Sequence, residues 1–98
     1  MKFKHQEDGE TTRISLSGLI EVESCTCLSN FWSARVAGAT QLDVNLAAAD
    51  LSDDAGARAL AELIGGSAEE GTTITLRGVP PPFRELIPHH PRIIVADD

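Results

Sequence analysis

The side chains suited to chemistry are concentrated in one short stretch, LDVNLAAADLSDDAG, which spans residues 42–56. Within it Ser52 supplies a hydroxyl, and Asp53 and Asp54 supply adjacent carboxylates. A hydroxyl beside carboxylates can act as a nucleophile with its base, accept a phosphoryl group, or make hydrogen bonds to another molecule. We therefore take residues 52–56 as the candidate site and ask which of these chemistries the rest of the chain supports.

Two catalytic chemistries fit part of this stretch but lack their other groups. A hydrolase that used Ser52 with His89 or His90 would need a nucleophile elbow and a glycine-rich oxyanion loop, and the sequence contains neither. A phosphoacceptor receiver domain needs a lysine near its last strand, whereas the two lysines are Lys2 and Lys4. We expect no catalytic residue and no enzyme activity, and we keep a small hydrolase built on Ser52 and His89 as the least favoured alternative.

The thiols and imidazoles do not form a metal-binding pattern. Cys25 and Cys27 are two residues apart, while His5 and the pair at 89–90 are distant in the sequence. Two thiolates alone cannot complete a tetrahedral site. In a helix, positions i and i+2 point to different faces, which argues against a disulfide and predicts a buried Cys25 and an exposed Cys27. We expect neither a metal nor another cofactor.

Length and charge exclude several classes of partner. A chain of 98 residues is expected to form one domain over residues 1–98. Its net charge of −7, from 15 acidic and 8 basic residues, argues against nucleic acid and against an anionic membrane surface. No apolar run approaches the length of a membrane span, and the N-terminal residues do not resemble a secretion signal. We expect a cytoplasmic protein that binds a protein partner, with no membrane insertion and an oligomeric state left open.

A strand and a helix hold the candidate site between them. Leu42, Val44 and Leu46 alternate with polar residues, which is typical of a strand with one buried face. Residues 52–54 are three consecutive N-cap-type side chains ahead of an apolar helical pattern over 57–64. A helix N-terminus carries partial positive charge, so an exposed anion there gains about 0.3–1 kcal/mol. The turn can therefore hold fixed negative charge.

The chain before this site predicts a hairpin and a helix. Residues 2–8 and 12–17 read as strands joined by an Asp-Gly turn signal. Cys25, Leu28, Phe31, Trp32 and Val36 then recur at helical spacing, and Gly38 is the predicted end of that helix. At this spacing the aromatic pair is expected to belong to the core.

The chain after this site predicts a strand, a short helix and a last strand. Gly65 and Gly66 are the predicted end of the central helix, and residues 67–71 the loop that follows. Residues 72–79 read as a strand, and the three prolines after it suit the start of a short helix. Residues 92–95 read as a buried closing strand, with a frayed tail at 97–98.

The resulting order is β-β-α-β-α-β-α-β, an α/β fold with a mixed sheet and helices packed over it. Residues from four of these elements are expected to meet in one core: Trp32, Leu46, Leu60 and Ile74.

Four segments, in this order and spacing, resemble the signatures of STAS domains, the anti-sigma-factor antagonist family. They are Ile14-Ser15-Leu16-Ser17-Gly18, Val44-Asn45-Leu46, Asp53-Asp54-Ala55-Gly56 and Ile74-Thr75-Leu76-Arg77-Gly78-Val79. The resemblance covers nearly the whole chain and implies a single-domain STAS-like fold. It also implies a bacterial regulatory protein that docks a partner without catalysis.

The resemblance further implies which residues bind the partner and which position is phosphorylated. The third segment of the family reads Asp-Ser-Ser-Gly, and a partner kinase phosphorylates its second serine. Ala55 stands at that place and has no hydroxyl, so the usual phosphorylation is not expected, and Ser52 is the possible alternative phosphosite. The expected partner-binding residues are Ser52, Asp53, Asp54, Ala55, Gly56 and Arg58.

Members of the resembled family bind two kinds of partner protein. One is an anti-sigma kinase-like protein. The other is the ATPase of bacterial phospholipid-transport ABC complexes, in which small cytoplasmic STAS subunits occur. Trp32 with Arg35 and the segment 75–79 resemble that second branch, so it is kept as the alternative function.

Overall fold

The computed structural model describes residues 1–35 and 40–96 and contains five strands and three helices in that part of the chain. Their order confirms the predicted α/β arrangement with a mixed sheet. The elements are β1 (Lys2–Asp8), β2 (Thr11–Leu19), α1 (Val22–Arg35), β3 (Gln41–Asp50), α2 (Asp54–Glu69), β4 (Thr73–Arg77), α3 (Pro81–Arg84) and β5 (Ile93–Val95).

The strands lie side by side in sequence order, so each strand pairs with the next one along the chain. β1 and β2 form the predicted antiparallel hairpin, whereas β3, β4 and β5 each join the sheet in parallel. Parallel neighbours require a crossover, and α1, α2 and α3 supply these in turn. The carboxyl ends of β2, β3 and β4 therefore meet at one edge of the sheet.

The inward-facing side chains of the three central strands pack with α1 and α2 into one core. Trp32, Leu46, Leu60 and Ile74 are all buried in that cluster, which confirms the predicted core. The indole Nε1 of Trp32 donates a hydrogen bond to the buried hydroxyl of Ser67 near the end of α2. This bond gives the one polar atom of the buried indole a partner and fixes α1 against α2.

The central helix is longer than the sequence predicts. Gly65 and Gly66 do not end it, because α2 continues through both to Glu69. Each glycine costs about 1 kcal/mol relative to alanine in a helix. The burial of Ile64 and Ala68, together with the bond from Trp32 to Ser67, holds the last turn in place. Tertiary packing here outweighs local propensity.

The last strand is less enclosed than predicted. β5 pairs only with β4, and Ile94 is 49% exposed because its side chain points away from the helices.

The predictions for Val36, Gly38 and the tail at 97–98 lie outside the described residues, as does the side chain of Arg35. The cysteine prediction is confirmed, since Cys25 is buried, Cys27 is exposed and both are free thiols.

Candidate functional site

The candidate site lies at the sheet edge where the parallel strands end. β3 ends at Asp50, and residues 51–53 lead into α2. The loop after β2 lies alongside, since the N–H of Ile20 donates to the carbonyl of Asp50 at 3.0 Å. Ligands of open α/β sheets bind at this edge, because the connecting loops converge there. The acidic turn, residues 52–56, is therefore placed where a binding site is expected.

Asp53 holds the start of α2. It occupies the N-cap with φ −81° and ψ 112°, and its Oδ2 accepts the N–H of Gly56 at 2.9 Å. The backbone carbonyl of Asp53 also accepts the N–H of Ala57 at 2.9 Å. An N-cap carboxylate is worth about 0.5–2 kcal/mol relative to alanine. The half-buried Asp53 therefore orders the turn, and its carboxylate has a partner inside the fold.

Asp54 presents its charge to solvent together with a matching cation. Its Oδ2 accepts the Nε–H of Arg58 at 2.9 Å, one helical turn later. The side chains are 76% and 64% exposed, so the pair contributes little to stability. The pair does place one negative and one positive side chain next to each other on the outer face of the turn.

The hydroxyl of Ser52 faces an acidic neighbour. That neighbour is Asp50, whose Oδ1 accepts the backbone N–H of Ser52 at 3.0 Å. Hydrogen bonds from the side chain and the backbone of Ser52 together lower the pKa of Asp50 below its usual value. Asp50 is therefore ionised at neutral pH and sits beside the hydroxyl.

Gly56 lets α2 approach the loop after β2 with no space between them. A Cβ on Gly56 would overlap the carbonyl oxygen of Ile20 and lie 2.8 Å from the Cα of Glu21. Beneath the turn, the thiol of Cys25 donates to the carbonyl of Gly56 at 3.5 Å, and burial raises the pKa of that thiol. The turn, the loop and α1 are thus joined at this one residue.

A groove of about 650 Å³ runs beside the turn towards α3. Apolar atoms of Leu51, Phe83 and Leu86 form part of its lining, and Asp50, Asp54, Arg58 and Glu85 bring charge to it. The sequence pattern did not reveal this groove, because it depends on where α3 lies relative to the start of α2 in the folded chain. The prolines at 80–82 predict the start of α3 but not the groove itself.

Comparison with known proteins identifies the family. The family model described as "Mlab, STAS domain" matches residues 3–88 of the chain. The chain belongs to this STAS family. No curated protein matches the chain significantly in sequence.

Solved structures show the same fold at low sequence identity. A Ser-to-Glu variant of RsbS from Moorella thermoacetica has a TM-score of 0.77 and 13% identity, covering 100% of this chain and 88% of that one. The anti-sigma factor antagonist SpoIIAA in its unphosphorylated form has a TM-score of 0.75 and 18% identity, covering 99% and 89%. The structure of Mglu has a TM-score of 0.70 and 22% identity over 80% of this chain, which spans only 19% of Mglu.

Two exposed apolar side chains flank the acidic turn of this STAS domain. Leu19 at the end of β2 is 41% exposed, and Val22 at the start of α1 is 49% exposed. With Ile94 on the far face, they are the exposed large apolar residues of the described chain. Grouped apolar side chains next to fixed charges are typical of protein interaction surfaces.

The residues suggested for a hydrolase and for a metal site are not brought together in the part of the chain that the structure describes. Ser52 lines the groove beside α2, while His89 lines a separate depression next to β5. Within residues 1–35 and 40–96, no cluster of three or more His, Cys, Asp or Glu side chains is arranged to hold a metal ion. In the same residues, no helix has the length and apolar character that crossing a bilayer requires.

Proposed function

We propose that this STAS domain is a non-catalytic regulatory module that docks another protein through the acidic turn at 52–56 and the first turn of α2. The observation that carries the proposal is the turn's composition. Asp54 and Arg58 form an exposed ion pair, and the exposed Leu19 and Val22 lie on either side of the neighbouring loop at residues 20–21. Such a surface offers both an apolar contact and a charge pattern that selects its partner.

Docking is proposed to work without phosphorylation of the turn. Ala55 is exposed in the first turn of α2, where a kinase would need a hydroxyl. Ser52 is a poor alternative phosphorylation site. A phosphoryl group there, of about −1.5 to −2 charge, would be repelled by the ionised carboxylate of Asp50 beside it. The charge of Asp54 is permanent, so the affinity of this surface is set by sequence alone.

Two protein partners fit this surface. The first is an anti-sigma kinase-like protein, in keeping with the fold shared with SpoIIAA. The second is the ATPase subunit of a phospholipid-transport ABC complex. Ala55 favours this second partner, since a binding site without a phosphorylation cycle needs no hydroxyl there. With either partner we propose a cytoplasmic location and a single domain over residues 1–98.

Capture from the native cell, with mass spectrometry of the retained proteins, would identify the partner. The double variant Asp54→Ser with Ala55→Ser then tests the turn. Both residues are exposed, and serine is tolerated at a helix start, so the fold should be retained. Loss of the Asp54 charge should change the dissociation constant of the purified partner by about tenfold. Calorimetry on the purified pair would measure it.

Incubating wild-type protein with a captured kinase gives the second readout. We expect no phosphate on residues 52–56 in peptide mapping. Phosphate on Ser52 with a matching loss of binding would contradict the unswitched surface, though not docking itself. A double variant that binds every captured partner as tightly as wild type would contradict docking through the turn.

A further inference from the structure

The sheet face opposite α1 and α2 carries a polar concavity of about 530 Å³, here called the sheet-face site. Side chains alternate along a strand, so Arg13 and Ser15 point to this face while Ile14 and Leu16 enter the core. None of the residues that line this site also lines the groove beside the acidic turn. The sheet-face site is therefore a separate feature of the molecule.

The strand register brings two cations together at this site. Lys4 lies opposite Ser15, and Gln6 lies opposite Arg13, across the β1–β2 pair. Lys4 and Arg13 are therefore diagonal neighbours, about 7–8 Å apart at their backbones. Ser15 lies in turn beside Asn45 of β3. The long side chains of Lys4 and Arg13 can reach one common anionic group above Ser15 and Asn45.

Two of the acceptors that line this site, the side chains of Asp43 and Asn45, already have partners within the protein. Both carboxylate oxygens of Asp43 accept the Nε–H of Arg77, at 3.2 and 3.0 Å. The Oδ1 of Asn45 accepts the N–H of Ala47 at 2.9 Å, which leaves the amide NH₂ of Asn45 as a donor. Asn45 thus presents a donor, and not an acceptor, to an incoming ligand.

The two cations are weakly compensated. The backbone of Lys4 pairs with Ser15, but its side-chain ammonium makes no hydrogen bond or ion pair within residues 1–35 and 40–96. Arg13 pairs with Asp8 at 3.6 Å, but the two side chains are 58% and 66% exposed, so solvent screens the pair. A concavity lined by cations is unexpected in a chain of net charge −7. The positive charge of Lys4 and Arg13 favours the binding of an anion there.

The geometry points to a binding site for a small soluble molecule that carries a phosphate or diphosphate group. Lys4 and Arg13 make the charged contacts, and Ser15 and Asn45 donate hydrogen bonds to the remaining oxygens. The volume lies within the roughly 300–1,000 Å³ of small-molecule sites. The site lacks the aromatic anchors of strong protein interfaces, and the chain's negative charge opposes an anionic membrane.

Amide NMR with inorganic pyrophosphate at low ionic strength tests this assignment. We expect saturable shifts concentrated at residues 4–6, 13–15 and 43–45. Replacing both Lys4→Gln and Arg13→Gln should weaken binding by about tenfold or more, since two charge-assisted contacts are lost. The control Arg84→Gln removes an exposed cation beside β5, at the other edge of the sheet, and should leave the affinity unchanged.

Several results would overturn the assignment. One is no saturable binding of pyrophosphate by the wild-type protein, and another is shifts spread evenly over the surface. A third is equal affinity of the double variant, shown to be folded by its spectrum. Binding of phosphatidylglycerol vesicles or poly-glutamate that depends on Lys4 and Arg13, without binding of pyrophosphate, would assign the face to a membrane or an acidic protein instead.

Discussion

Replacing Gly56 by alanine is expected to destabilise the protein by about 3 kcal/mol or more, the upper range for forcing an added methyl group into a packed site. The new Cβ would lie 2.7 Å from the carbonyl carbon of Ile20 and 2.8 Å from the Cα of Glu21. These are backbone atoms, so no rotation of a side chain can relieve the overlap. The loop after β2 or the start of α2 would have to move, and urea denaturation would record the loss.

The same helix provides a matched control for this substitution. A Cβ on Gly66 would meet nothing within 4 Å. Gly66→Ala should therefore stabilise the protein by about 0.4–1 kcal/mol, because alanine restricts the unfolded chain and favours the helix. The two glycine-to-alanine changes should thus have opposite signs. Equal midpoints for Gly56→Ala and wild type would show that α2 does not approach the loop as described.

Truncating Leu46 to alanine is expected to cost about 2–5 kcal/mol, from lost burial and the cavity left behind. Leu46 is 1% exposed and is the third inward-facing residue of β3, the central strand of the sheet. A loss of this size is a large part of the roughly 5–15 kcal/mol that stabilises a typical domain. Chemical denaturation at equilibrium would measure it.

Leu19→Ala is the control for Leu46→Ala. Leu19 is 41% exposed at the end of β2, so the same chemical change there should alter stability by only about 0.5 kcal/mol. If Leu46→Ala left the denaturation midpoint where it is in wild type, the assignment of β3 to the centre of the core would be wrong.

Most of the fold follows from local patterns in the sequence. The alternation of Leu42, Val44 and Leu46 predicts β3 and its buried face, and both are found. The hairpin follows from the Asp-Gly signal at residues 8–9, where Gly9 has a φ of 64°. The end of α2 does not follow from its glycines, because the bond from Trp32 joins residues 35 apart in sequence. Local propensity carries no information about such a contact.

The candidate site is predictable in position but not in detail. N-cap side chains at 52–54 predict the helix start, and the structure assigns that role to Asp53. The groove beside α3 depends on tertiary packing and has no local sequence pattern. The close approach at Gly56 likewise requires the path of the loop after β2, although the family resemblance marked Gly56 as a signature position.

The measurement that tests docking through the acidic turn most directly compares two matched variants in binding to the captured partner. Val22 and Ile94 are both 49% exposed, but Val22 flanks the turn and Ile94 lies on the opposite face of the sheet. Val22→Glu should weaken binding by about tenfold or more, since it places a charge in the apolar part of the interface. Ile94→Glu should bind as wild type does. Equal binding by all three proteins, or a loss confined to Ile94→Glu, would contradict docking at this surface.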